Sequence, residues 1–134
     1  MKSKFSRTWN SSVKPRKQRK YRYNAPLHLK SKLLAVNLSK ELRQKYSTRN
    51  IRVRKGDTVR ILRGTYKGKE GKVNDVDTKN LKVFVDGIEH TKREGAKKRI
   101  PLQPSNLQIV ELILKDNKRK QKLTNNKEQE EAKK

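Results

Sequence analysis

From Ile51 to Ile113 the apolar residues recur at every second position. Ile51 and Val53 alternate with Arg52 and Arg54, and Val59 and Ile61 flank Arg60. Val73 and Val76 follow, then Leu81, Val83 and Val85 alternate with Lys82 and Phe84. Leu107, Ile109 and Val110 to Ile113 close the series. A period of two is the pattern of half-buried strands, whose successive side chains point to opposite faces. Turn residues punctuate the strands: Lys55-Gly56-Asp57, the run from Gly64 to Gly71, and Asp77-Thr78-Lys79-Asn80. Asp86-Gly87, between Val85 and Ile88, predicts a two-residue hairpin. A basic loop is expected over 92–99, and Pro101 and Pro104 frame a short extended piece. Short strands at close spacing with such turns predict a mainly β fold, a small antiparallel barrel or sandwich.

Upstream the period lengthens. Pro26 suits the first turn of a helix, and Ala25 before it is biased to extended backbone. Leu29, Leu33 and Val36 then share a helical face. A second short helix is expected from Ser39 as N-cap, with Leu38, Leu42 and Tyr46 on one side. Glu41 in its first turn and Arg43 and Lys45 near its end suit the helix dipole. Both helices are too short to stand alone. Residues 1–24 show no sustained period and read as an extended basic arm. The last twenty residues, KDNKRKQKLTNNKEQEEAKK, lack apolar content and read as a charged tail, helical at most in part. The expected organisation is an arm at 1–24, two helices at 25–49, a barrel at 50–114 and a tail at 115–134.

Charge changes this picture. Only 30% of the 134 residues are hydrophobic, and the net charge is +25. Residues 1–55 carry 18 basic residues and one acid, Glu41. Residues 56–114 and 115–134 carry net +4 each. The first third repels itself and calls for a polyanion. No apolar run approaches the ~18 residues of a membrane span, and the basic segments lack a lipid-facing apolar side. Nucleic acid is the better partner. Zero cysteines exclude disulfides, zinc fingers and thiol catalysis. The first twenty residues share the composition of an organellar transit peptide but lack the apolar centre of a secretory signal. Without that signal, Asn10-Ser11-Ser12 and Asn37-Leu38-Ser39 match the glycosylation pattern by accident.

The stretch RGTYKGKEGKV, residues 63–73, holds the most chemistry. A nucleotide-hydrolysing phosphate loop needs four residues between its glycines, then Lys-Ser/Thr and a helix. Here three residues separate Gly64 from Gly68, Glu70 follows Lys69, and a strand pattern comes next. Glycines supply the positive φ of a tight loop, a reading that suits Gly71 at the loop–strand junction. They also let a backbone carrying Arg63, Lys67, Lys69 and Lys72 approach phosphates closely. Composition alone leaves solvated lysines and RNA contacts level, and the charge imbalance favours RNA. His28 and His90 stand apart from any carboxylate constellation. Asp75, Asp77, Asp86 and Glu89 fit turn chemistry. No nucleophile–base–orienter set is visible, so no catalytic residue, metal site or cofactor is assigned.

The stretch KGDTVRILRGTYKGKEGKV, residues 55–73, with NDVDTKNLKVFVDGI, residues 74–88, resembles the KOW motif, whose characteristic glycine falls on Gly71. That motif alone leaves several families open, transcription elongation factors of the NusG type among them. An elongation factor would normally carry a further domain for polymerase, for which 134 residues leave little room. The flanks YNAPLHLKSKLL (23–34), LSKELRQKY (38–46) and IPLQPSNLQIVEL (100–112) narrow the choice. Over about residues 14–120 the chain resembles the KOW-containing large-subunit ribosomal protein numbered twenty-four in bacteria and twenty-six in eukaryotes, in its archaeal–eukaryotic branch. The usual His-Pro-Ser before the last strand is Gln103-Pro104-Ser105 here, which takes Gln103 out of the contact set.

The resemblance implies an SH3-like barrel bound to the 5′ region of large-subunit ribosomal RNA. It also implies a place near the peptide exit tunnel and an early role in subunit assembly, in the cytoplasm, with nuclear assembly in a eukaryote. Neighbouring ribosomal proteins are expected as partners, and no homo-oligomer is. The expected RNA contacts are Lys14, Arg16, Lys17, Arg19, Lys20 and Arg22 of the arm, with Trp9, Tyr21 and Tyr23 available for stacking. Lys30 and Lys32 are expected to contact RNA from the helices, and Lys55 from its turn. Arg63, Gly64, Lys67, Gly68, Lys69 and Lys72 are expected from the glycine loop, and Lys97, Lys98 and Arg99 from the second basic loop.

Overall fold

The computed structural model describes residues 5, 6, 8, 9 and 11–131, with side chains as far as Thr124. Arg7, Asn10 and the first four residues of the arm lie outside the described residues. In chain order the elements are helices α1 (Pro15–Asn24) and α2 (Leu27–Leu33), strand β1 (Ala35–Leu38) and helix α3 (Lys40–Tyr46). Strands β2 (Asn50–Arg52), β3 (Thr58–Ile61), β4 (Glu70–Asp77), β5 (Lys82–Val85), β6 (Glu89–Thr91) and β7 (Lys97–Arg99) follow. A 3-10 turn at Pro104–Asn106, strand β8 (Leu107–Glu111) and helix α4 (Asn117–Glu131) end the chain.

Six strands form one sheet in the order β2-β1-β8-β3-β4-β5, and β6 and β7 pair separately. The sheet is mixed rather than purely antiparallel, because β1 runs parallel to β8 with Leu38 opposite Ile109. Alternate residues point inward, so Val36, Leu38, Ile51, Val59, Ile61, Val83, Val85, Leu107 and Ile109 are buried together with Leu34, Val53, Val73 and Ile88. Strands at both ends of the sheet feed this one cluster, so the sheet curls in the manner of a small barrel.

Several elements depart from the sequence reading. Val36 is not helical: α2 stops at Leu33, and Leu34, Val36 and Leu38 are buried at a period of two. As a strand, this stretch bonds β2 on one side and β8 on the other, which satisfies backbone groups that a longer helix would strand beside the sheet. Residues 15–24 are helical rather than extended. Pro15 stands in the first turn, and Arg, Lys and Gln cost a helix little. No residue of α1 is fully buried, which is why no apolar period announces it.

The Asp86-Gly87 bend forms, with Gly87 at φ +77° and the Ile88 N–H donating to the Val85 carbonyl at 3.3 Å. It does not join paired strands: β5 pairs with β4, and β6 pairs with β7. Val83 on the other edge of β5 meets Leu102, with reciprocal bonds of 3.0 and 2.8 Å. The bend signal specified a reversal, and burial of Ile88 with the Leu102 bridge decided the partner. The basic loop expected at 92–99 contains strand β7, and the hairpin closes at Gly95 with φ +82°. The Ser39 cap holds as expected, its hydroxyl accepting from the Leu42 N–H at 3.3 Å.

Gly71 lies inside β4 opposite Val59, outside the positive-φ glycines. What it needs is space rather than a left-handed backbone. A Cβ there would stand 2.7 Å from both the Asp86 carbonyl oxygen and Val85 Cγ1.

Helix α4 is docked against the β domain through its first turns rather than trailing. Arg119 and Leu123, one turn apart on α4, are both buried. The Arg119 guanidinium meets the Asp57 carboxylate two-on-two, each N–O distance 2.7 Å. It also donates to the carbonyls of Ile113 and Arg52. Asp57 additionally accepts from the N–H groups of Arg54 and Ile113, at 2.9 and 3.1 Å. Asp116 caps α4, and the Lys118 N–H, with a smaller contribution from Arg54, holds its carboxyl below the ordinary value of 3.8. This cap therefore contributes above that value and is lost as the pH falls through the lower folded one.

Two substitutions test this architecture in denaturant melts. Gly71→Val should destabilise by about 1–3 kcal/mol through overpacking; a wild-type melt would exclude the close approach to Asp86. Asp57→Ala should cost about 3–5 kcal/mol by stranding a buried guanidinium. Adding Arg119→Met should recover part of that loss, and a double variant no better than the single one would argue against the ion pair.

Candidate nucleic-acid interface

The glycine loop joins β3 to β4, strand to strand, so it is not the strand-to-helix phosphate loop of a nucleotidase. Gly64 and Gly68 adopt φ of +98° and +86°, and an added Cβ would meet nothing within 4 Å at either. Backbone conformation, not crowding, asks for glycine there. Within the loop the Lys67 N–H donates to Gly64, Gly68 to Ile61 and Lys69 to Tyr66, at 3.1, 2.8 and 3.1 Å. Those three amides are satisfied internally, so this part of the loop offers ammonium groups rather than a nest of free N–H donors. Arg63, Lys67 and Lys69 are exposed, and Lys69 sits 5.2 Å from the Tyr66 ring centroid. Lys72 is also exposed but belongs to β4.

The structure brings this loop together with the second basic segment. The Tyr66 hydroxyl donates to the Glu89 carbonyl at 3.1 Å, and Glu89 is the cross-strand partner of Arg99. Lys97, Lys98 and Arg99 thus stand on an exposed hairpin beside the glycine loop, with Arg99 5.5 Å from the Phe84 ring. A rigid strand pair fixes cations more firmly than a loop would, at the cost of little buried surface.

The arm's cations sit on a separate element. Lys14 precedes α1, and Arg16, Lys17, Arg19, Lys20 and Arg22 are exposed along it. With Arg16 and Lys20 four residues apart, like charges oppose the helix. What steadies it is aromatic: Phe5 and Trp9 pack against Tyr21 with centroids 5.0 and 4.6 Å apart and rings tilted by 39° and 32°. Trp9 and Tyr21 are therefore in tilted contact and half-buried, while Tyr23 is 82% exposed. On α2, Lys32 is exposed and Lys30 is half-buried, its ammonium donating to the Lys79 carbonyl at 3.2 Å. Lys55 is exposed at the rim of a crevice shared with Arg52, Arg54, Asp75 and Thr78.

Electrostatics explains why these cations face outward. Among the described residues the ion pairs are Arg54–Asp116, Arg60–Glu70 and Arg119–Asp57. None involves a candidate RNA contact. Asp77 caps its turn through the Asn80 N–H, which holds its carboxyl below the ordinary range. His28 and His90 are exposed on α2 and β6. Among the described residues no group of three His, Cys, Asp or Glu could hold a metal ion, and no helix is long and apolar enough to cross a membrane. Sequence reasoning missed Arg52 beside Lys55 and the structural role of Arg119. Nothing in a run of basic residues marks one of them as buried.

Fold and surface define a small, strongly basic β protein whose candidate cations are mostly exposed and lie outside the ion pairs among the described residues. Residues 12–126 match the family model for the eukaryotic ribosomal proteins L26 and their archaeal counterparts numbered twenty-four. The large ribosomal subunit protein uL24 of Methanospirillum hungatei is 50% identical over 113 residues, covering 84% of this chain and 94% of that one. The protein of the same name from Methanosphaera stadtmanae is 47% identical over 112 residues, covering 84% and 96%. The chain belongs to this ribosomal protein family, as its 14–120 stretch predicts, and its role is structural rather than enzymatic.

The chain has a single tryptophan, so its fluorescence reports on the arm alone. Tyr21→Ala should red-shift Trp9 emission and raise its quenching by acrylamide, while the melt of the β domain stays within about 0.5 kcal/mol. Unchanged emission would mean that the aromatic contact does not order the arm.

Proposed function

We propose that the chain is a structural constituent of the large ribosomal subunit that binds large-subunit ribosomal RNA, in its 5′ region, and helps begin subunit assembly near the peptide exit tunnel. In this reading the curled sheet is an SH3-like barrel with a KOW motif, and residues 50–114 are a rigid platform. The glycine loop and the β6–β7 hairpin press on one RNA surface, while the arm and short helices follow grooves and junctions. The observation that carries the proposal is the set of cations on these elements, mostly exposed and outside the ion pairs among the described residues, in a chain whose relatives are named large ribosomal subunit proteins. RNA shape and single-stranded elements supply specificity. Like charges along α1 oppose the order that its aromatic contacts provide, and a polyanion relieves them, so further ordering of the arm is coupled to binding and lowers affinity per contact. Working in the cytoplasm, the domain ties separate RNA helices beside neighbouring ribosomal proteins.

Sedimentation of a native lysate at low and high salt tests the placement. Persistence with the large-subunit peak at high salt is expected. Release by moderate salt, or copurification with RNA polymerase, would return the elongation-factor reading. Replacing Lys67, Lys69 and Lys72 together by Ala should lower the slope of log affinity against log salt by roughly two to three units, at about 0.7–0.9 per lost phosphate contact. An unchanged slope would remove the loop from the interface.

A further inference from the structure

Helix α1 has a face that charge alone does not explain. Lys17, Lys20, Tyr21 and Asn24 recur at i, i+3, i+4 and i+7 and so share one side. Phe5 and Trp9 lie against that side, their rings tilted 39° and 32° to Tyr21. The result is an open concavity with an aromatic wall, rimmed by Lys17, Lys20 and Asn24. All three rings are only half-buried, and the two lysines are exposed. Neither lysine forms an ion pair among the described residues.

We infer that this concavity binds one unstacked base of single-stranded RNA, with Lys17 and Lys20 holding the phosphates on either side. The inference rests on the RNA-binding reading above. A half-exposed aromatic ring face accepts any base by its π face, and flanking cations track the backbone. The Asn24 carboxamide offers both a donor and an acceptor, which suits the edge of an exposed base. The occupant follows from charge: residues 1–55 carry net +17, and a purely apolar ligand would leave both lysines without a counterion. Double-stranded RNA does not fit, because its bases are already stacked on one another.

Trp9 reports its own occupancy. The full chain is titrated with a short oligoadenylate and with a blunt RNA duplex of equal length. The oligoadenylate should quench Trp9 saturably, while the duplex binds by charge and leaves the emission near its free value. By anisotropy of a labelled oligoadenylate, Trp9→Ala should weaken binding about 5- to 150-fold with an unchanged salt slope, and Trp9→Phe should restore most of it. Lys17→Ala with Lys20→Ala should weaken binding and lower the slope by about 1.4, two phosphate contacts on a single strand. Oligoadenylate binding that neither quenches Trp9 nor responds to Trp9→Ala overturns the pocket and leaves the wider RNA reading intact. Failure of both RNAs to bind overturns both.

Discussion

One carboxylate holds the parts of this protein together. Asp57 stands in the turn between β2 and β3, and its two oxygens take four hydrogen bonds. They come from the backbone at Arg54, from the backbone beyond β8 at Ile113, and from both terminal nitrogens of Arg119 on α4. The turn, the exit of the last strand and the final helix therefore share one anchor. Only an arginine fits, because its planar fork meets both oxygens while still reaching two carbonyls. The arrangement is not free of cost: Arg119 Nε is buried without a partner. A buried pair of this kind is weak as a source of net stability. Its consequence here is geometric, since it fixes where a polycationic helix lies against a basic domain.

The same economy governs the rest of the charge. Glu70 pairs with Arg60 across β3 and β4, Glu111 accepts from Thr58, Asp77 closes its turn and Asp116 caps α4 while meeting Arg54. These acids hold the fold, while Glu41, Asp86, Glu89 and Glu94 stay exposed among 38 basic residues. A core of valines, leucines and isoleucines, each contributing roughly 1.5–3 kcal/mol on full burial, offsets the repulsion that remains. The surface therefore keeps a strong positive field.

Regular alternation made β3, β4, β5 and β8 legible, because a sheet with one buried face writes its period into the chain. Ser39 was legible for the same kind of reason: a capping hydroxyl acts within four residues. The turns at Gly56, Gly64 and Gly68 could be read from backbone freedom alone. The family, too, was carried by local strings. In each case the cause and its residues are neighbours in sequence.

What only the tertiary structure decided involves partners far apart in the chain. Leu34, Val36 and Leu38 become a strand because β2 and β8 offer their edges, and a helical spacing through Val36 was equally available to the sequence. Asp86-Gly87 bends the chain, but burial of Ile88 sends it away from β5. Gly71 is small because the Asp86 carbonyl passes within contact distance, which no local rule foresees. The candidate cations were identified as a set, yet their grouping depends on Tyr66 reaching Glu89. Arg119 reads like its basic neighbours until Asp57, 62 positions away, takes it out of solvent. Sequence determined the periods, the turns and the sign of the surface, which are short-range or summed properties. Pairing, docking and close approach were left to the fold, because their energies belong to contacts that do not exist until the chain has closed on itself.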